Sequence, residues 1–310
     1  MDFTKRSSEN RTLQQPNHKG NHETVDWRPA HDVRKDLGTP PLYDANSNDI
    51  ATFRNDGVIL LRGEFSDWVN QLRAGLQRTL DNPEDYAFPC ESVGPDGKGR
   101  FFDSYCNWHR IPEYIEYISS SSVASMASQF MESESAQLFH EHVFYKDAGT
   151  QTATPWHHDL PYYCVDGWQN VSIYVSLDFT PADTAVRFLA GSHRQKQLYY
   201  PRHFLDGSDY VQDDPDMTSV TPLETSFEEV DVRSFELEPG DTFLFHFRTL
   251  HGTTAAETKS QRRAISTRWL GDDMVYYERQ GETSPPLSDL GVTPGMRMPE
   301  DLFPILWPNR

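Results

Sequence analysis

The stretch "QLFHEHVFYK", Gln137–Lys146, decides the fold class. Its side chains alternate between two faces. His140, His142, Phe144 and Lys146 fall on one, and Phe139, Glu141, Val143 and Tyr145 on the other. A period of two is the pattern of a β-strand. The same period returns in "VSIYVSLDF" (171–179), "VRFL" (186–189), "FELEPGDTFLFHF" (235–247) and "RRAISTRWLG" (262–271), with turn signals such as Pro239-Gly240-Asp241 between them. Before residue 136 the period is helical. Phe65, Trp68, Val69, Leu72, Leu76 and Leu80 form one stripe, and Val123, Met126, Ala127, Phe130 and Met131 another. The stretch "IATFRNDGVILLRG" (50–63) reads as a short helix, a turn at Asp56-Gly57 and a strand. Helices first and strands after predict a mainly β fold, a barrel or jelly roll buttressed by N-terminal helices.

The chain has 310 residues, enough for a large single core. Residues 1–45 are polar and read as a flexible arm. Residues 46–310 read as a single domain, with helical support over 46–135, the strand core over 136–275 and a Pro- and Gly-rich C-terminal wrap over 276–310. There is no run of 18 apolar residues and no apolar leader, so neither a membrane helix nor a secretory signal is expected. Cys90, Cys106 and Cys164 have no metal-type spacing and read as reduced thiols of a cytoplasmic protein. A formal net charge of −19 opposes binding to nucleic acid or an anionic membrane. The sequence leaves the oligomeric state open.

The chemistry concentrates in "TPWHHDLPYY", Thr154–Tyr163. His157 and Asp159 are two apart, so on a strand they share a face while His158 points away. This is the one His-x-Asp in the chain, and no His-x-Glu occurs. Two histidines and a carboxylate on one face make the facial triad of non-haem Fe(II) oxygenases. The third ligand has to come from a distant strand, and "LFHFRTLHGTT" offers His246 and His251. On one continuous strand these lie on opposite faces. His251 precedes Gly252, a residue suited to close approach of a ligand, and is the choice here. Beyond it, Arg262, Ala264, Ser266 and Arg268 share a strand face, and Arg263 does not. Arg262 could grip a carboxylate with two parallel bonds, with Ser266 adding a hydroxyl.

These motifs, together with "FLAGSHR" (Phe188–Arg194) and taken in order over about 50–275, resemble the phytanoyl-CoA dioxygenase (PhyH-like) family of Fe(II)/2-oxoglutarate oxygenases. The resemblance implies a double-stranded β-helix, with iron, 2-oxoglutarate and O2 at the site. It also implies cosubstrate contacts from His142, Tyr174 and Arg100. The expected reaction is oxidation of an unactivated C–H bond of a small molecule, by hydroxylation, desaturation or cyclisation, with 2-oxoglutarate and O2 converted to succinate and CO2. One alternative is a non-catalytic jelly roll that binds a small molecule. Another is a halogenase, disfavoured because Asp159 occupies the position such enzymes leave open. Phe102, Trp108, Arg110, Tyr162, Tyr163 and Arg268 are the candidate substrate-lining groups. They suit a substrate with an apolar part and an anionic group.

Overall fold

The computed structural model describes residues 25–29, 37–93, 99–151, 153–204, 207–210, 214–222 and 231–308. Helix α1 (Ser47–Asp56) starts at Asn46, whose side chain accepts from the Asn48 N–H, and stops at Gly57, in the left-handed region with φ 73°. A side chain on Gly57 would also run into the His193 ring, so this turn requires glycine twice over. Strand β1 (Val58–Leu61) follows, then α2 (Val69–Asp81), β2 (Cys90–Ser92), β3 (Phe101–Tyr105), α3 (Pro112–Ser120) and α4 (Val123–Met131). The strand core consists of β4 (Ala136–Lys146), β5 (Val165–Asp166), β6 (Asn170–Ser176), β7 (Arg187–Leu189), β8 (Leu198–Tyr199), β9 (Met217–Thr218), β10 (Val232–Ser234), β11 (Thr242–Phe245), β12 (His251–Gly252), β13 (Arg262–Leu270) and β14 (Val275–Tyr276). A last strand, β15 (Ile305–Trp307), closes the chain.

The larger sheet has the order β1-β11-β6-β13-β4-β3-β2, with β15 also on β4. The smaller has the order β10-β7-β12 and is extended by an antiparallel bridge between His157 and His251. Along the chain the strands pass between the two sheets: β4 in the larger, the His157 bridge in the smaller, β6 back in the larger, β7 and β10 in the smaller, then β11, β12 and β13 in alternation. That winding is the double-stranded β-helix, a jelly roll.

The helices cover the outer face of the larger sheet. Leu72, Leu76, Tyr114, Met126 and Phe130 join Val143, Ile173, Ile265 and Trp269 in one apolar core. Both faces of β4, β6 and β13 are therefore buried. The face toward the helices is aliphatic, and the face toward the smaller sheet carries the polar and aromatic residues that line a cavity. Helix α3, absent from the sequence expectation, lies between the two predicted helical stripes and buries Tyr114, Tyr117 and Ile118.

Two expectations need correction. Residues 242–252 are not one strand: β11 ends at Phe245, and a turn closed by the Thr249 N–H on the His246 carbonyl carries the chain to the other sheet. His246 and His251 are separated by a change of sheet, not by parity. Part of the polar arm is also docked. Trp27 is buried and stacks on Phe303 at 5.8 Å, and Gln129 pairs with the backbone of Tyr43 and Ala45. The rest of the arm, 1–24 and 30–36, lies outside the described residues. Among the described residues, no helix is long and apolar enough to cross a membrane, and the three cysteines are free.

Candidate active site

His157, Asp159 and His251 are buried, and their ligand atoms lie within 4.8 Å of one another. The histidine Nε2 atoms of residues 157 and 251 stand 3.7 and 3.6 Å from Asp159 Oδ1. Strand parity does not account for this. Residue 157 is bridged to 251, but the chain then turns, and Asp159 has helical dihedrals at the start of a short 3-10 helix, Leu160–Tyr162. His158 goes the other way for the same reason, and its Nε2 accepts the Tyr199 N–H at 2.9 Å.

The two histidines are held alike. Each Nδ1 lies 2.9 Å from a backbone carbonyl two residues earlier, that of Pro155 for His157 and that of Thr249 for His251. A carbonyl only accepts, so Nδ1 carries the proton and each Nε2 lone pair faces Asp159. Burial, then the neighbouring His251, pushes His157 down to about 3, and burial lowers His251 as well. Burial alone would raise Asp159, but His251, Arg268 and His157 outweigh it and hold the carboxylate below its usual range. Neutral imidazoles beside an ionised carboxylate are the protonation states a metal requires. Ser172 donates to Asp159 Oδ2 at 3.2 Å and Arg268 lies 3.9 Å from it, leaving Oδ1 toward the histidines. Two imidazole nitrogens and one carboxylate oxygen on one side of a cavity fit Fe(II) with open positions opposite.

The supports of this cluster explain two motifs. Phe188 pairs with His251 across β7–β12, and its ring stacks on the imidazole at 5.8 Å. Ser192 accepts the Leu250 N–H at 2.9 Å, so "FLAGSHR" holds the segment that carries His251. Gly252 leaves room for the Thr154 carbonyl, which a Cβ would meet at 2.8 Å; the close approach is to backbone, not to a ligand.

The cluster opens into a cavity of about 560 Å³ between the sheets. Its wall includes Arg262, Ala264, Ser266 and Arg268 from β13, and His140, His142, Phe144 and Lys146 from β4. Arg262 donates to the Thr184 carbonyl at 2.5 Å and to Tyr174 Oη at 3.3 Å. Ser266 Oγ is buried without a partner among the described residues. Arg263 turns outward and forks onto Asp178 at 2.8 and 2.9 Å. Tyr162 and Tyr163 line the cavity, each tied by its hydroxyl, to the backbone of Arg202 and to Arg268 Nε respectively.

Four sequence candidates lie elsewhere. Arg100 is outside the cavity and forks onto Glu91 at 3.0 and 3.1 Å. Phe102 has the opposite parity from Phe101, Asp103 and Tyr105, which do line the cavity, and it packs in the core beneath the helices. Trp108 sits in the same core. Arg110 reaches back to the Arg28 carbonyl at 3.4 Å. Arg268 is displaced in role rather than place, because it braces Asp159 and Tyr163 instead of standing clear of the cluster. His246 is a packed histidine, its Nε2 on the Trp168 carbonyl at 2.8 Å and its Nδ1 accepting the Arg248 N–H at 3.1 Å.

Sequence reasoning missed Lys146 and Asp103 as cavity residues, although alternation in "FFDSY" and "HEHVFYK" carried the signal. Lys146 stands opposite Arg262 in the β13–β4 register. Burial, then the Arg262 charge, lowers Lys146 to about 7.

A family model described as phytanoyl-CoA dioxygenase (PhyH) matches residues 53–264. A probable phytanoyl-CoA dioxygenase of Caenorhabditis elegans is 40% identical over 55 residues, which cover 17% of this chain and 18% of that protein; the chain therefore matches under a fifth of that relative's length. Among solved structures, the non-haem α-ketoglutarate-dependent carbocyclase SnoK of nogalamycin biosynthesis is similar, with TM-score 0.65 and 16% identity over 86% of this chain and 99% of its own. The epimerase SnoN, in complex with Fe3+, α-ketoglutarate and nogalamycin RO, has TM-score 0.63 and 18% identity over 84% of this chain and 97% of its own. EctD from S. alaskensis, with 2-oxoglutarate and 5-hydroxyectoine, has TM-score 0.60 and 18% identity over 93% of this chain and 97% of its own. These likenesses establish a shared fold. With the family model spanning more than half its length, the chain belongs to the phytanoyl-CoA dioxygenase (PhyH) family.

Proposed function

We propose that this protein is an Fe(II)/2-oxoglutarate-dependent dioxygenase that oxidises an unactivated C–H bond of a small molecule, in the first place by hydroxylation. The observation that carries the reading is the buried His157–Asp159–His251 cluster opening onto a cavity whose wall holds Arg262 on Tyr174. In this reading His157, Asp159 and His251 hold the iron. Arg262, with Tyr174, Ser266 and Lys146, holds the far carboxylate of 2-oxoglutarate, and His142 lies beside it. Iron bound there supplies O2 activation coupled to conversion of 2-oxoglutarate into succinate and CO2.

The chain's own residues do the rest. The Pro155 and Thr249 carbonyls fix which imidazole nitrogen is free. Ser172 and Arg268 fix which carboxylate oxygen is free. Tyr162 and Tyr163 line the cavity beside the cluster, their hydroxyls tied to the Arg202 backbone and to Arg268. Asp159 occupies the position a halogenase leaves open, so its presence favours oxygenation over halogenation. Residues 46–310 are proposed to act as one catalytic domain, and three free thiols suit a cytoplasmic location.

Equilibrium dialysis of Fe(II) or Mn(II) under argon, followed by 2-oxoglutarate titration and succinate analysis after aeration, tests this. A protein that binds neither metal nor 2-oxoglutarate would be a binding jelly roll and not an oxygenase.

A further inference from the structure

We infer that the substrate of this site presents an ammonium group, received by Asp103 against an aromatic wall; the inference rests on the dioxygenase reading above. Arg262 is engaged by Thr184 and Tyr174. Arg268 is engaged by Tyr163 and Asp159. Arg202 donates to the Gly207 carbonyl at 2.8 Å and faces Asp209 at 3.8 Å. Lys146 stands beside Arg262, on the cosubstrate side. The cations that line the cavity are therefore accounted for, and among the described residues no lysine or arginine is ion-paired with the Asp103 carboxylate.

Asp103 lines the cavity from β3 and is 7% exposed. Among the described residues its one hydrogen-bonding partner is His142 Nε2, at 3.6 Å, too long for a full bond. That imidazole does not neutralise it, because burial lowers the His142 pKa and keeps the ring uncharged. Among the described residues, His142 Nε2 and His140 Nδ1 are themselves buried without a hydrogen bond in the same wall. A buried carboxylate persists when a cation or several donors meet it. Here Asp103 faces the cavity onto which the His157–Asp159–His251 cluster opens.

The surroundings favour the cation. The Tyr105 ring lies 5.0 Å from His142, and Phe88 stacks on Tyr105 at 5.1 Å. Phe88 holds a positive φ of 48°, a costly conformation for an aromatic residue, and this presents its ring to the cavity. Aromatic faces beside a carboxylate attract an ammonium by the ring quadrupole and by charge together. Glu282, exposed at the mouth of the cavity, adds a second negative charge on the entry path. This reverses the expectation of an anionic substrate, which rested on arginines that the fold engages elsewhere.

Three probes of matched shape decide it: 2-phenylethylamine, 2-phenylethanol and 3-phenylpropionate. Each is titrated under argon into protein loaded with Mn(II) and 2-oxoglutarate, with calorimetry and thermal shift as readouts. The amine should bind at least about tenfold tighter than the alcohol, and the carboxylate weakest. Asp103→Asn should erase the preference for the amine, and Glu282→Gln, at the exposed mouth, should weaken amine binding less than Asp103→Asn does. Equal behaviour of amine and alcohol, including no binding by either, overturns the inference, as does an amine preference that survives Asp103→Asn. A 2-oxoglutarate titration of each sample shows that the variant is folded. It also separates the two readings: failure there counts against the dioxygenase assignment, whereas normal cosubstrate binding without amine preference counts against the ammonium alone.

Discussion

Lys146→Met should stabilise the metal-free protein and at the same time weaken its hold on 2-oxoglutarate. Lys146 and Arg262 are cross-strand partners on the inner face, and both are buried. Like charges in that arrangement repel. Burial and the Arg262 charge bring Lys146 from 10.5 to about 7. A base whose pKa falls on folding lowers stability at every pH below its unfolded value. The loss grows as pH falls from 10.5 and levels off below about 7. At pH 7.5 the shift corresponds to about 4 kcal/mol. Methionine keeps the apolar stem and removes the charge, so a gain of roughly 2–4 kcal/mol is expected in denaturant unfolding of the metal-free protein at that pH. Cosubstrate binding should move the other way. A charge-assisted hydrogen bond contributes about 1.5–3 kcal/mol, so the Kd for 2-oxoglutarate in the Mn(II) protein should rise about 10- to 100-fold. A purely structural lysine would give neither result. If the variant unfolds more easily and binds 2-oxoglutarate as before, both the charge argument and the role of Lys146 fail.

Arg262→Ala should raise the 2-oxoglutarate Kd by roughly 30-fold or more, whereas Arg263→Ala, whose partner is Asp178, should leave it unchanged; titration under argon compares them. His157→Ala, Asp159→Ala and His251→Ala should each abolish Fe(II) binding, while His158→Ala should retain it at a cost in stability, which metal dialysis and thermal unfolding separate. Arg268→Ala should weaken metal affinity about 10- to 100-fold by releasing Asp159, measured by Mn(II) titration, with a smaller effect on cosubstrate affinity. Lowering the pH from 7 to 5 should destabilise the metal-free protein. His157, His158 and His246 are depressed to about 3, 4 and 3, so their contribution is complete above 6.5 and is lost as pH falls toward those values, by about 2 kcal/mol each at pH 5. Glu141, raised to about 7 by burial, recovers about 2 kcal/mol over the same interval, but the buried His140, His142 and His251 add to the loss, so denaturant unfolding at the two pH values should show a net destabilisation at pH 5.

The sequence alone determined that helices precede a run of strands and that His157 and Asp159 belong to the metal-type cluster, because both rest on local signals. The period of two in β4, β6 and β13 follows from backbone pleating, and the helical stripes of α2 and α4 from 3.6-residue winding. The single His-x-Asp is equally local, whereas His251 and Arg262, eleven residues apart, reach it from a distant part of the chain. Parity also separated Arg262 from Arg263 correctly, since β13 is continuous across them. It succeeded at His157 and Asp159 for a different reason, a bridge followed by a turn that no local pattern announces. Phe102 was named without a strand face, and which face of β3 looks inward follows from its long-range register against β4, where Phe101 meets Lys146 and Tyr105 meets His142. Which cations serve a ligand was decided only in three dimensions. Arg100, Arg110 and Arg268 engage protein partners, and Lys146 and the Asp103 carboxylate line the cavity. Pairing of charges depends on distances across strands far apart in the chain, and those distances exist only after the two sheets close on each other.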